Sequence, residues 1–305
     1  MNRKKIILDT DIGDDIDDLF ALNLLANSPE VELLGVTTVF RNAEKRAKMA
    51  AYALKEINRG NIPVYAGADQ PLICVPETIV AEEILKKEKR DEKGKYLIPQ
   101  YAEYMNSAEY RSGNAVEFIV DQARKYGKEL HLVLIGAFTN AALAIRTYPE
   151  VMKTIAEITV MGGCYNQNYP EWNILCDPEA ARIVFSFGVP VKAVGIDVTS
   201  KCKLTKKFRQ ELKEKNVRGC RLLTEMTEKW FSHYLVETPV MHDPLAVSTL
   251  ISDEFVKFKE EKIKVVLEGE NRGETIIAED GNPVQVAIDV DCEKFFSFFE
   301  RRIFI

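Results

Sequence analysis

Short apolar runs alternate along this chain with longer stretches whose apolar residues recur every three or four positions. The short runs predict strands at residues 5–8 (KIIL), 33–39 (LLGVTTV), 63–66, 130–135 (LHLVLI), 157–161 (EITVM), 191–194, 262–267 and 284–289. The longer stretches predict helices at 19–26, 43–57, 115–126, 140–146, 178–187, 222–234, 244–251 and 293–299. Arg59-Gly60 and Pro63 close the second helix, and Asp177-Pro178 opens the fifth. Strands alternating with helices imply βαβ units. The expected fold class is therefore α/β, with a mainly parallel (mixed) central sheet and helices on both faces. Neither a repeat nor a composition shift divides the chain, so residues 1–305 read as one domain, with variable excursions near 79–112 and 201–240. The charged stretch 82–95 (EEILKKEKRDEKGK) reads as a solvated helix end or exposed loop.

Composition narrows the function classes. At 305 residues and 46% apolar content, the chain is an ordinary globular sequence and not a disordered one. A net charge of −6 argues against binding nucleic acid through a bulk basic field. No run of about 18 apolar residues is present to span a membrane. The start, MNRKKIILDTD, holds too few apolar residues for a secretory leader. Six cysteines (74, 164, 176, 202, 220 and 292) form no C-x-x-C pair and have no His at metal-ligand spacing. They read as reduced, mostly buried thiols of a cytoplasmic protein.

The acidic excess sits in one place. Residues 9–18 read DTDIGDDIDD and contain six of the 47 acidic residues; without them, 41 acids face 41 bases. This segment follows the first strand, at the carboxyl edge where parallel α/β sheets bind ligands. Six carboxylates in ten residues repel one another unless a hard cation with oxygen ligands, Ca2+ or Mg2+, neutralises them. The bland alternative is a solvated acidic loop. An EF-hand fails, because its sixth and twelfth positions would be Asp14 and Phe20 instead of Gly and Glu. Asp9-Thr10-Asp11 also fits the D-x-D of phosphatases that form an aspartyl-phosphate, here on Asp9, and that reading stays open.

The segment resembles the D-[TC]-D-x-G-x-D-D motif of the inosine–uridine-preferring nucleoside hydrolases. Further stretches resemble the family in order: LLGVTTVFRN at 33–42, VYAGA at 64–68, GAFTN at 136–140, VMGG at 160–163, EWN at 171–173 with DPEAA at 177–181, and MHDPLAV at 241–247. The likeness runs along nearly the whole chain and is weakest at 79–112 and 201–238. One departure stands out. Three residues, Asp14-Asp15-Ile16, stand where the family has one, so Asp17-Asp18 aligns with the family's pair if two residues are inserted.

This resemblance implies a Rossmann-like nucleoside hydrolase that splits the N-glycosidic bond of a ribonucleoside, giving free base and ribose. It implies Ca2+ held by Asp11, Asp18, Asp243 and the carbonyl of Ile135, with Asp15 as an alternative ligand. Asp11 would also be the general base, and Asp9 would orient ligands. Asp17, Asn42, Glu171, Asn173 and either Asn166 or Asn168 would contact the ribose. Taken alone, the Asn and Glu residues also suit turns and caps. His242, next to Asp243, would protonate the leaving base, since an imidazole ordinarily titrates near neutrality. His131 reads as structural. The helix carrying Trp230, His233 and Tyr234 offers aromatic faces to a base, or simply core packing. The expected partner is a small ribonucleoside, with no nucleic acid or membrane, in a dimer or tetramer by resemblance. A ribosyl-binding protein that keeps the metal without turnover is the remaining alternative.

Overall fold

A computed structural model describes residues 3–73, 89–215, 218–234 and 238–304. Cys74 and residues 82–88 of the charged stretch lie outside them. The described residues form nine strands, β1 Lys4–Thr10, β2 Val31–Thr38, β3 Val64–Ala66, β4 Leu130–Leu134, β5 Glu157–Met161, β6 Val191–Val194, β7 Val256–Val265, β8 Thr275–Ile277 and β9 Asn282–Val290. They join in one sheet ordered β3-β2-β1-β4-β5-β6-β9-β7-β8. The first seven strands of that order run parallel, and β7 and β8 close one side antiparallel. The mainly parallel, mixed sheet is thus as expected. The strand predicted at 262–267 instead runs from Val256, and β8 was not anticipated. β7 (VKFKEEKIKV) turns mostly charged residues to water, which hides its period, and β8 is only three residues long, too brief to show one.

Strand β1 lies in the middle. Ile6 and Leu8 point to one face and Ile7 to the other, because successive side chains in a strand alternate. The first face packs against helix α1 (Asp17–Asn27), which is buried almost throughout, with α2 (Ala43–Glu56) beside it. The opposite face packs against Phe118 of α3 (Ala115–Tyr126) and Ala141 of α4 (Thr139–Thr147). After two one-turn helices, α5 Pro149–Met152 and α6 Trp172–Cys176, come α7 Pro178–Ser186 and another single turn, α8 Ile196–Thr199. Four more follow: α9 Lys206–Glu214, α10 Arg218–Tyr234, α11 His242–Ser248 and α12 Cys292–Ile303. Asp177 caps α7 as expected, accepting from Ala180 N at 3.0 Å. The short helices α5, α6 and α8 were missed, being too brief to show a period.

Chain order reverses at β1, which pairs with β2 on one side and β4 on the other. A crevice therefore opens above the carboxyl ends of β1 and β4, the place where such sheets take ligands. Gly136, just past β4, lets the two strand ends approach. A Cβ there would lie 2.8 Å from both the backbone nitrogen and Oδ1 of Asp11. The variant Gly136→Ala should lose about 1–3 kcal/mol of stability by overpacking. Its thermal midpoint should drop by several degrees in calorimetry; melting with the parent protein would mean that Asp11 moves aside freely.

Candidate active site

The crevice is a cavity of about 470 Å³. Asp11, Asp14 and Asp15 from the loop after β1 reach it, with Asp17 and Asp18 from the first turn of α1. Ile135 and Met161 come from the ends of β4 and β5, and Glu171, Trp172 and Asn173 from the start of α6. Ile196 lies on α8, Trp230 and Tyr234 on α10, and His242 and Asp243 on α11. Segments predicted from distant parts of the sequence thus meet at one place.

Ligand oxygens of Asp17, Asp18 and Asp243 lie within 4.8 Å of one another, and all three residues are buried. Asp17 also accepts from the backbone N–H of Asp243 at 3.0 Å, tying α1 to α11. Thr10 donates its hydroxyl to Asp18. Burial raises the carboxyl pKa of Asp17, Asp18 and Asp243 well above the ordinary value, and neighbouring carboxylates add to it. Asp11 is raised to about 7, by burial first, against the pull of Arg46. Such a crowd of dry oxygens suits a hard cation, whose charge would offset both desolvation and repulsion. The closest oxygen triple contains Asp17, expected at the ribose, in place of Asp11, which lies against the same cavity.

The two acids ahead of the pair divide. Asp14 pairs with the guanidinium of Arg46 at 2.8 Å, and the Arg46 side chain has no exposed surface. Arg46 also donates to the carbonyls of Asp11, Ile12 (3.1 Å) and Phe40 (2.7 Å), so one cation stitches the acidic loop to α2. Asp15 accepts from Ile16 N at 2.6 Å and faces the cavity near Trp230, with a pKa raised to about 6 by burial. Arg46 was overlooked, yet it left a signal. It falls on the buried face of α2 in step with Ala43, Met49, Ala50 and Ala53, where an arginine needs a partner.

Asp9 lies beneath the cavity and does not line it. Thr37 and Asn140 (2.8 Å) donate to its Oδ1, and burial raises its pKa to about 7. Enclosed in this way it orients the strand end and is badly placed to be phosphorylated. Asn140 also binds the backbone of Thr38 and Ala68, which explains the GAFTN turn.

The remaining expected contacts split as well. The Glu171 carboxylate accepts from the N–H groups of Gly163 (3.0 Å), Asn173 (3.0 Å) and Ile174 (3.2 Å), so it caps α6 while lining the cavity. Asn173 donates to the carbonyls of Ile135 (3.1 Å) and Met161 (3.2 Å). Asn42 is not brought to this cavity. It lies in a neighbouring one with Arg41 and Tyr96, and its amide donates to the Tyr96 carbonyl at 2.9 Å. The reason is the backbone: Phe40, Arg41 and Asn42 are all left-handed, with φ of 65°, 40° and 70°. Asn166 and Asn168 are exposed on the loop after β5 and do not line the cavity. His233 is also turned to solvent, and His131 sits half-buried on β4, 4.0 Å from Glu157. His242 is correctly near Asp243, but the expectation of near-neutral titration fails: burial lowers its pKa to about 4, leaving the ring neutral at pH 7.

The sequence profile described as "Inosine-uridine preferring nucleoside hydrolase" matches residues 6–297. The chain belongs to this family. It is 32% identical to the inosine-uridine preferring nucleoside hydrolase of Crithidia fasciculata, over 96% of this chain and 95% of that one. It is 31% identical to the pyrimidine-specific ribonucleoside hydrolase RihB of Escherichia coli (strain SE11), covering 99% and 97% of the two chains. Among solved structures, the purine-preferring ribonucleoside hydrolase from Gardnerella vaginalis superposes with a TM-score of 0.83 at 29% identity, covering 98% of each chain. A family member of this kind is a hydrolase of N-glycosyl bonds. The five described cysteines are free thiols, and no helix among the described residues is long and apolar enough to cross a membrane.

Two measurements follow from the electrostatics. Asp9 and Asp11 titrate near 7 in the fold and near 3.8 unfolded, and Asp15 near 6. A raised acid favours folding below its unfolded pKa, and that contribution is lost as pH rises through the folded one. The cation-free protein should therefore melt several degrees lower at about pH 8 than at about pH 5.5; an unchanged or higher midpoint at the alkaline end would contradict this. Arg46→Met should cost about 2–4 kcal/mol in urea unfolding, because it leaves the half-buried Asp14 and the carbonyls of the acidic loop without their partner. Adding Asp14→Asn should recover part of that loss.

Proposed function

We propose that this protein hydrolyses ribonucleosides to free base and ribose with Ca2+ at the Asp17, Asp18 and Asp243 cluster. The single observation that carries the reading is three buried carboxylates converging within 4.8 Å at the crevice of a nucleoside hydrolase fold. Asp11 and Ile135 line the same cavity, and the Asp11 carboxylate and Ile135 carbonyl are the further oxygens of this reading. When bound, such a cation would neutralise the cluster and make water held there more acidic.

The chain's own groups divide the rest of the work. Asp11, with its pKa raised toward 7 before any cation binds, is the general base for the attacking water. Asp17, Glu171 and Asn173 line the wall where ribose hydroxyls would sit, and the amide oxygen of Asn173 is its free end. Trp230 and Tyr234 offer aromatic faces to the departing base. His242 lines the same cavity and is the hydrogen-bond donor to that base. Asp15, directed at the aromatic end, is a further polar group for the base. Relatives are named for both pyrimidine and purine substrates, so similarity does not decide base preference.

The test is steady-state hydrolysis of a panel of purine and pyrimidine ribonucleosides and their 2′-deoxy forms, with and without chelation. Turnover of at least one ribonucleoside, lost on chelation and restored by Ca2+, is expected; full activity after chelation would remove the metal from the reading. Asp11→Asn should lower kcat by about 100- to 10,000-fold while ribose still binds. Asp243→Asn should instead abolish Ca2+ binding in calorimetry. A binding protein without catalysis would show no turnover to lose.

A further inference from the structure

Thr199, the last residue of α8, is completely buried. Its Oγ1 lies 2.6 Å from Nδ1 of His242. The chain holds the two together from both sides. Segment 202–204 pairs with segment 239–241: Leu204 N donates to the Pro239 carbonyl (2.9 Å) and Met241 N to that of Cys202 (2.8 Å). Lys203 and Val240 form the bridge between them. His242 follows directly and is laid against Thr199.

The contact constrains a proton. A neutral imidazole has one N–H and one bare nitrogen, whereas a hydroxyl both donates and accepts. Were Nδ1 to carry the hydrogen, it would donate to Oγ1, and the Thr199 hydroxyl hydrogen would need another acceptor. Among the described residues the hydroxyl makes no other hydrogen bond, and a buried donor without a partner costs about 1–3 kcal/mol. The favoured arrangement has Thr199 donating to Nδ1. The hydrogen then resides on Nε2, the ring nitrogen left for the cavity that His242 lines.

We propose that Thr199 is a positioning residue that selects the Nε2–H tautomer of His242, so that a fixed N–H donates a hydrogen bond to the nitrogen or oxygen of the leaving base; as the bond to ribose breaks, the base keeps the bonding pair as an anion steadied by that hydrogen bond and then takes its proton from water. This rests on the hydrolase reading above. Reaching the substrate only through His242, Thr199 should affect the departure of the base and leave ribose binding alone.

Two variants and two substrates test it. Thr199→Val keeps the shape and removes the hydroxyl; Thr199→Ser keeps the hydroxyl. The substrates are the best ribonucleoside of the panel and p-nitrophenyl β-D-ribofuranoside, whose phenolate leaves without that help. Thr199→Val should lower kcat on the nucleoside by about 10- to 100-fold with KM little changed, stay within about twofold on the nitrophenyl riboside, and be rescued by Thr199→Ser. Equal losses on both substrates, or none on the nucleoside, would overturn the proposal. Nitrogen-15 NMR of the unsubstituted protein gives an independent reading, with His242 distinguished from His131 and His233 by a His242→Gln control. Nε2 should carry the hydrogen and Nδ1 should be bare; the opposite tautomer overturns the proposal even if Thr199→Val fails to fold. Absence of turnover on every ribonucleoside would instead defeat the hydrolase reading, while the NMR result still decides the tautomer.

Discussion

Repulsion among dry carboxylates governs this molecule. Asp11, Asp15, Asp17, Asp18 and Asp243 share one cavity wall, and lost hydration is the leading cause of the raised pKa of each. Arg46 brings a positive charge to the loop, but its ion pair is with Asp14. The neighbouring hydrogen bonds hold the cluster in place without neutralising it: Thr10 on Asp18, the Asp243 amide on Asp17, Thr37 and Asn140 on Asp9. A fold that concentrates like charge in this way gives up apo stability in exchange for a site ready to take a cation.

The architecture supplies what that arrangement needs. Because chain order reverses at β1, two strand ends open upward without a connection crossing between them. Close approach at Gly136 brings β4 against Asp11, and the first turn of α1 brings Asp17 and Asp18 over the same opening. The same cavity is lined by Trp172, Trp230 and Tyr234 as well as by the acids, so it offers both carboxylates and stacking faces. A nucleoside presents the counterpart of each, a hydroxyl-rich sugar joined to a flat base.

Much of this was legible in the residues. The strand and helix periods placed β1, β2, β4, β5 and β6 and most long helices to within a few positions, since buried parallel strands read as apolar runs. The acidic loop and the MHDPLAV segment identified the cavity's charged wall. What could not be read depended on geometry between segments. Nothing in FRN announces three successive left-handed residues, each costing about 1–3 kcal/mol, and that turn carries Asn42 away from the acids. The Glu171 cap, the Asp14–Arg46 pair and the burial that pushes His242 to a low pKa arise only once distant chain segments are packed.

The bond between the Asp243 amide and Asp17 spans 226 positions of sequence. The oxygens that would grip a cation therefore belong to segments far apart in the sequence and converge only when α11 has docked on α1. Long-range closure of this kind comes late in folding, after local helices and neighbouring strands have formed. An ion captured here would have little hold on partly folded chains. It would act as a latch on the finished fold, drawing the population toward the completed state by mass action and doing nothing to start the process.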